Sequence, residues 1–149
     1  MSTIVRARRI DSPPSLVWEV LADYGRIAVW ASAVGHSEQT TPGEPGIGAT
    51  RRVQVRRLVL LETVTAWEPE QELVYTIEGL PRPVPALTNR WGLVAVGSGT
   101  SATLTVATRS RGRTGAGLVA AALTRGFARA NARLLADLDA WVVGRAEGS

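Results

Sequence analysis

The opening run of the chain carries the β-formers Ile4, Val5 and Ile10. It is stopped by Asp11-Ser12-Pro13-Pro14, a pattern that predicts a first strand. Ser12 is expected as an N-cap and Pro13 at the first helical position, where a missing N–H costs nothing. Leu16, Val17, Val20 and Leu21 then repeat at helical spacing, with Trp18 on the flank, and predict a short helix. A second short helical segment is expected from Tyr24 to Ala33, carrying Ile27 and Trp30.

Beyond this point the apolar period falls to two. Val34 to Thr41 is weakly strand-like, and the Pro- and Gly-rich stretch from Thr41 to Gly48 reads as a loop. Val53 and Val55 alternate against Arg52, Gln54 and Arg56. Leu58 to Trp67 is a long apolar strand with Glu62 in its middle, and Glu68-Pro69-Glu70 turns the chain. Leu73, Tyr75 and Ile77 alternate against Val74, Thr76 and Glu78. Pro81, Pro83 and Pro85 hold the next stretch extended without ladder donors. Leu87 to Val96 is a further strand, Gly97-Ser98-Gly99-Thr100 a hairpin connection, and Ala102 to Thr108 the last strand.

From Thr114 to Val143 no proline interrupts, and alanine and leucine dominate. At 3.6 residues per turn, Ala116, Ala120, Leu123, Phe127, Ala130, Leu134, Leu138 and Trp141 fall within roughly a quarter of the circumference. Arg125, Arg129 and Arg133 fall opposite. This predicts an amphipathic helix of about 30 residues, about 45 Å long. Helices segregated from an antiparallel meander define an α+β class, with the sheet curled by its twist and the long helix in its concave face.

Composition narrows the chemistry. The 149 residues suit one domain spanning 1–149. There is no cysteine and no lysine, and His36 is the one histidine. Thiolate nucleophiles, Schiff bases and multi-histidine metal sites are thereby excluded. No cofactor is expected. The net charge is +4, and between Glu78 and Asp137 the chain has eight arginines and no carboxylate. Without aromatic interleaving or a recognisable motif, this reads as a solvated face rather than a nucleic-acid site. No stretch reaches the roughly 18 apolar residues that span a bilayer, and no secretory signal opens the chain, so a cytoplasmic location is expected.

The run Arg9-Ile10-Asp11-Ser12-Pro13-Pro14-Ser15-Leu16-Val17-Trp18-Glu19-Val20-Leu21-Ala22-Asp23-Tyr24 resembles the opening signature of the polyketide cyclase/dehydrase branch of the START-like, Bet v 1-like (SRPBCC) superfamily. Ser12 replaces the usual alanine. Trp30, Glu62 to Pro69, Leu73 to Tyr75, and Gly97-Ser98-Gly99-Thr100 stand where that family has a tryptophan, a central hairpin and a G-x-G-T turn. The resemblance implies a helix-grip fold, a curved seven-stranded sheet around the C-terminal helix with a cavity between. The superfamily hosts lipid carriers, receptors and cyclases, so fold alone does not select an activity.

Ala116, Ala120 and Ala130 are too small to fill the gap beneath such a helix, so a pocket is expected beside its N-terminal half. Trp18, Trp30, Trp67 and Trp91 filling the same space is the rival reading. The expected lining is Trp30, Val53, Val55, Tyr75, Asn89, Trp91, Ala120, Leu123 and Phe127, with Glu62 as the conditional polar contact. Glu62 is the weak catalytic candidate. It points inward if it shares a face with Leu60 and Val64 and outward if Leu61, Thr63 and Thr65 line the core, and alternation leaves both open. Gly126 reads as permitting close packing, while Gly115 and Gly117 fit either a loosened helix start or plain packing. The expected function is binding of a small, mostly apolar ligand: a lipid, polyketide or aromatic metabolite. A cyclase or dehydratase is the enzymatic alternative, and a protein-interaction or antitoxin-like module the third. A homodimer is a possible assembly.

Overall fold

The order of elements follows from the change of period along the chain. Strand β1 (Ser2–Ile10) leads into helix α1 (Pro14–Ala22) and a 3-10 segment (Tyr24–Val29). Strands β2 (His36–Gln39), β3 (Thr50–Val55), β4 (Leu58–Glu68), β5 (Glu72–Glu78), β6 (Leu87–Val96) and β7 (Gly99–Thr108) follow, and helix α2 (Thr114–Glu147) closes the chain. The computed structural model describes residues 2–81, 86–108 and 114–148, without the side chains of residues 2, 114–117, 119 and 120. Pro83 and Pro85, the arginines at 82, 109, 111 and 113, and the side chains of Gly115, Ala116, Gly117 and Ala120 therefore lie outside the described residues.

The strands form one antiparallel sheet in the order β1-β7-β6-β5-β4-β3-β2. Consecutive strands from β2 to β7 are neighbours, and β1 joins beside β7. The α+β helix-grip architecture stands as the sequence predicts. Helix α2 lies over β1 and β7 and against α1. Two polar latches hold its second half. Asp139 accepts from Arg8 Nε at 2.6 Å, and Asp137 accepts from the Ser32 amide and hydroxyl at 2.8 and 2.7 Å.

Turn geometry sets the register. The Arg56–Arg57 turn pairs Val55 with Leu58 and so places Arg51 directly opposite Glu62. A β-bulge between Val64 and Ala66 re-phases the end of β4 and swings Trp67 to within 5.1 Å of Trp18, edge to face. After β5, Gly79 adopts φ +97°, and a Cβ there would sit 2.6 Å from the Val59 carbonyl, so only glycine fits. No helix among the described residues is long and apolar enough to cross a membrane.

Four details depart from the sequence expectations. Helix α1 begins one residue later, with Pro13 as its N-cap, and no side chain caps it. Ser12 instead buries its hydroxyl, which has no hydrogen-bond partner among the described residues, while its carbonyl accepts from Thr100 Oγ1 at 2.7 Å. Leu16 is exposed and Trp18 buried, the reverse of the predicted flank. The buried stripe of α2 is rotated by about one residue from the predicted one. Thr124, Ala128, Asn131, Leu135, Leu138 and Val142 are buried, whereas Ala130 and Trp141 are exposed and Leu123, Phe127 and Leu134 half-buried. The cause is polar: an apolar count gives Asn131 no inward weight, yet Asn89 on the sheet offers it two hydrogen bonds. Gly126 faces open space with nothing within 4 Å of a Cβ, so it does not serve close packing on the sheet.

Candidate functional site

Alternation along β3 to β6 sends one set of side chains to the concave face. In β3 these are Arg51, Val53 and Val55, and in β4 Leu60, Glu62 and Val64. In β5 they are Leu73, Tyr75 and Ile77, and in β6 Leu87, Asn89, Trp91 and Leu93. The inward phase of Glu62 is thus settled, and its residue is 6% exposed. Arg51, in phase with Val53 and Val55, follows it inside at 3%.

Arg51 Nε donates to Glu62 Oε1 at 2.8 Å, and Arg51 Nη1 donates to the Tyr24 carbonyl at 2.9 Å. The guanidinium carbon lies 3.9 Å from the Tyr24 ring centroid and 4.7 Å from that of Tyr75. A planar cation against two aromatic rings gains cation–π attraction where water is excluded. The Tyr24 hydroxyl donates to the Glu62 carbonyl at 2.8 Å, tying the 3-10 segment to β4. Burial works to lower the Arg51 pKa, but the Glu62 carboxylate and the two phenols outweigh it, so the group stays a cation. Burial pushes the Tyr24 phenol well above its usual range against the opposing pull of Arg51. Burial, with the Glu62 charge, raises Tyr75 as well.

A second polar chain continues toward α2. Asn89 Nδ2 donates to Tyr75 Oη at 3.4 Å, and Trp91 Nε1 donates to the same oxygen at 3.2 Å. Asn89 and Asn131 exchange two amide bonds of 3.2 and 3.0 Å, which stitch α2 to the sheet floor. Tyr75 Oη accepts both of its bonds, so its own proton is unspent among the hydrogen bonds of the described residues. Trp30 packs edge to face on Trp91 at 6.3 Å.

The expected pocket residues are therefore brought together in part. Trp30, Val53, Glu62, Tyr75, Asn89 and Trp91 are buried, and Val55, Leu123 and Phe127 are half-buried beside the core. The Ala120 side chain lies outside the described residues. His36 is exposed at the start of β2. Sequence reasoning missed Arg51, Tyr24 and Asn131. Arg51 had a usable signal: the two-residue turn at 56–57 makes every β3–β4 pair sum to the same number, which matches 51 with 62. Asn131, a polar residue on a helix, had none. Among the described residues a cavity of about 160 Å³ lies elsewhere, between α1 and the end of α2, lined by Leu16, Glu19, Val20, Val142, Arg145 and Ala146.

A curved antiparallel sheet gripping one long helix, with polar groups gathered on an aromatic and aliphatic inner face, defines the helix-grip class. The chain belongs to the family described as polyketide cyclase / dehydrase and lipid transport, whose model matches residues 1–139. No curated protein matches it. Among solved structures it is similar to TTHA0849 from Thermus thermophilus, at 19% identity and TM-score 0.77 over 97% of this chain and 99% of that one. It is also similar to Ara h 8.0201, at 14% identity and TM-score 0.74 over 96% and 98% of the two chains. CalU16 from Micromonospora echinospora shares 20% identity at TM-score 0.60, over 91% of this chain and 75% of that one. At these identities the likeness is one of fold.

Proposed function

We propose that the protein binds a small, mostly apolar molecule (a lipid, polyketide or aromatic metabolite) between the N-terminal half of α2 and the inner face of β3 to β6. Family membership over residues 1–139 supports a hydrophobic-ligand role. The observation that carries the site assignment is the Tyr75 hydroxyl. It is held by two buried N–H donors and keeps a proton for an acceptor on the ligand. Trp30, Trp91, Leu123 and Phe127 supply apolar contact around it. Cytoplasmic residence and a partner list without nucleic acid belong to the same proposal.

The test is a panel of fatty acids, isoprenoids and aromatic polyketide analogues, read by thermal shift and by emission of the five tryptophans. A ligand at a hundredfold its Kd stabilises a one-site protein by about 2.7 kcal/mol. A panel that moves neither the melting temperature nor the tryptophan emission overturns the proposal. A cyclase or dehydratase activity is the second reading, favoured by the inward Glu62. Its carboxylate is engaged by Arg51, so catalysis needs that pair to open when substrate arrives.

A further inference from the structure

One end of the molecule combines free positive charge with exposed aliphatic surface, and neither has a role in the interior site. The β3–β4 turn presents Arg56 and Arg57, both exposed and in no ion pair among the described residues. Leu58, Val59 and Leu61 follow directly and are 36, 43 and 44% exposed. Leu58 sits on the inward phase at the lip of the sheet, while Val59 and Leu61 sit on the outer face, so apolar surface wraps both sides of the turn. Single exposed aliphatics are ordinary, but a contiguous set beside paired arginines is a recognisable surface chemistry.

The strand ends show which connections leave from the same end of the sheet. β5 ends at Glu78, β6 starts opposite Ile77 at Leu87, and β7 ends opposite Leu87 at Thr108, all at the same sheet end as the turn. In sequence, the connections 79–86 and 109–113 that leave from there contain arginine at 82, 109, 111 and 113 and no carboxylate. Glu78, across from Leu61, and Glu38, across from Arg52 on β2, are the acidic residues nearest this end among the described strands. The opposite end carries Asp11, Glu44, Glu68, Glu70 and Glu72 in or beside its connections, together with Arg9 and with Arg90, which pairs with Glu72.

We propose that the β3–β4 hairpin end docks on an anionic lipid surface, Arg56 and Arg57 meeting the headgroups and Leu58, Val59 and Leu61 reaching the acyl boundary. Basic side chains with adjacent aliphatic ones match the two layers of such a surface. Residues 55–61 contain no aromatic ring to stack on a base, which argues against nucleic acid as the occupant. The proposal does not rest on any interior ligand, and its test needs none.

The experiment is cosedimentation of the full chain with phosphatidylcholine vesicles, with and without about 30% phosphatidylglycerol, at low and high salt. Binding is expected only with phosphatidylglycerol and is expected to fall at high salt. Each basic side chain near an anionic leaflet is worth roughly fivefold in partitioning, so Arg56→Asn/Arg57→Gln is expected to lose roughly 25-fold. Asparagine is chosen because Arg56 has φ +56° and asparagine tolerates that conformation. Val59→Ser/Leu61→Ser is expected to weaken binding while leaving its salt dependence intact. Equal binding to both vesicle types, binding unchanged by the arginine variant, or binding to soluble polyglutamate but to neither vesicle overturns the proposal. Should a variant fold poorly, the wild-type comparison of lipid composition and salt still decides.

Discussion

Replacing Glu62 by glutamine is the most informative single change in this protein. It keeps the shape of the side chain and leaves the Arg51 guanidinium, 3% exposed and flanked by Tyr24 and Tyr75, without its counter-charge. Breaking a buried ion pair from one side costs about 3–5 kcal/mol, because the remaining charge stays desolvated and unpaired. For a chain of this length that corresponds to a fall in Tm of roughly 10 °C or more. Arg51→Met is expected to cost a similar amount, with an additional small loss where the Tyr24 carbonyl forfeits its donor. The double variant Arg51→Met/Glu62→Leu removes both charges at nearly constant volume and is expected to recover most of the loss. Recovery stops short of complete, because the Tyr24 carbonyl has lost the Arg51 donor, worth about 1 kcal/mol. Urea denaturation of the wild type, Arg51→Met, Glu62→Leu and their double closes the cycle, with Glu62→Gln measured beside it. Single variants costing under about 1 kcal/mol, the range of a solvent-exposed pair, would refute the reasoning. So would a double variant whose loss equals the sum of the two singles.

The remaining expectations concern the rest of the cluster and the helix. The chain has two tyrosines, both raised by burial, so the folded protein keeps them protonated at pH values where an unfolded chain, with a phenol near 10, gives up protons. The stability they contribute is fully present below about pH 10 and is lost as pH rises through the folded values; phenolate absorbance should therefore appear together with alkaline unfolding, and phenolate in a protein still folded by circular dichroism would contradict this. Asn131→Ala leaves the buried Asn89 Oδ1 without its donor and should cost about 1–3 kcal/mol, with Asn89→Leu/Asn131→Leu less damaging than the single change; the comparison is made by urea denaturation. Gly126→Ala meets no atom within 4 Å, so helix propensity alone acts and thermal unfolding should show a gain approaching about 1 kcal/mol.

The sequence by itself determined the elements and their order. Alternation at Val53 and Val55, at Leu73, Tyr75 and Ile77, and the uninterrupted run after Thr114 are local signals, and local signals survive without coordinates. They also carried Tyr75, Asn89 and Trp91 to the inner face, because each sits in the apolar phase of its own strand. Tertiary structure decided what happens where a polar group meets a core. Glu62 had two equivalent phases, and the inward one holds because the β3–β4 register brings a cation opposite it. Helix α2 turned about one residue from its apolar optimum because Asn131 finds Asn89 across the gap, a partner 42 positions away in the chain. The hydrophobic pattern of a segment says which side is greasy, but a buried polar side chain is stable only beside its partner. Where that partner lies is fixed by strand register and helix placement, which no single segment encodes.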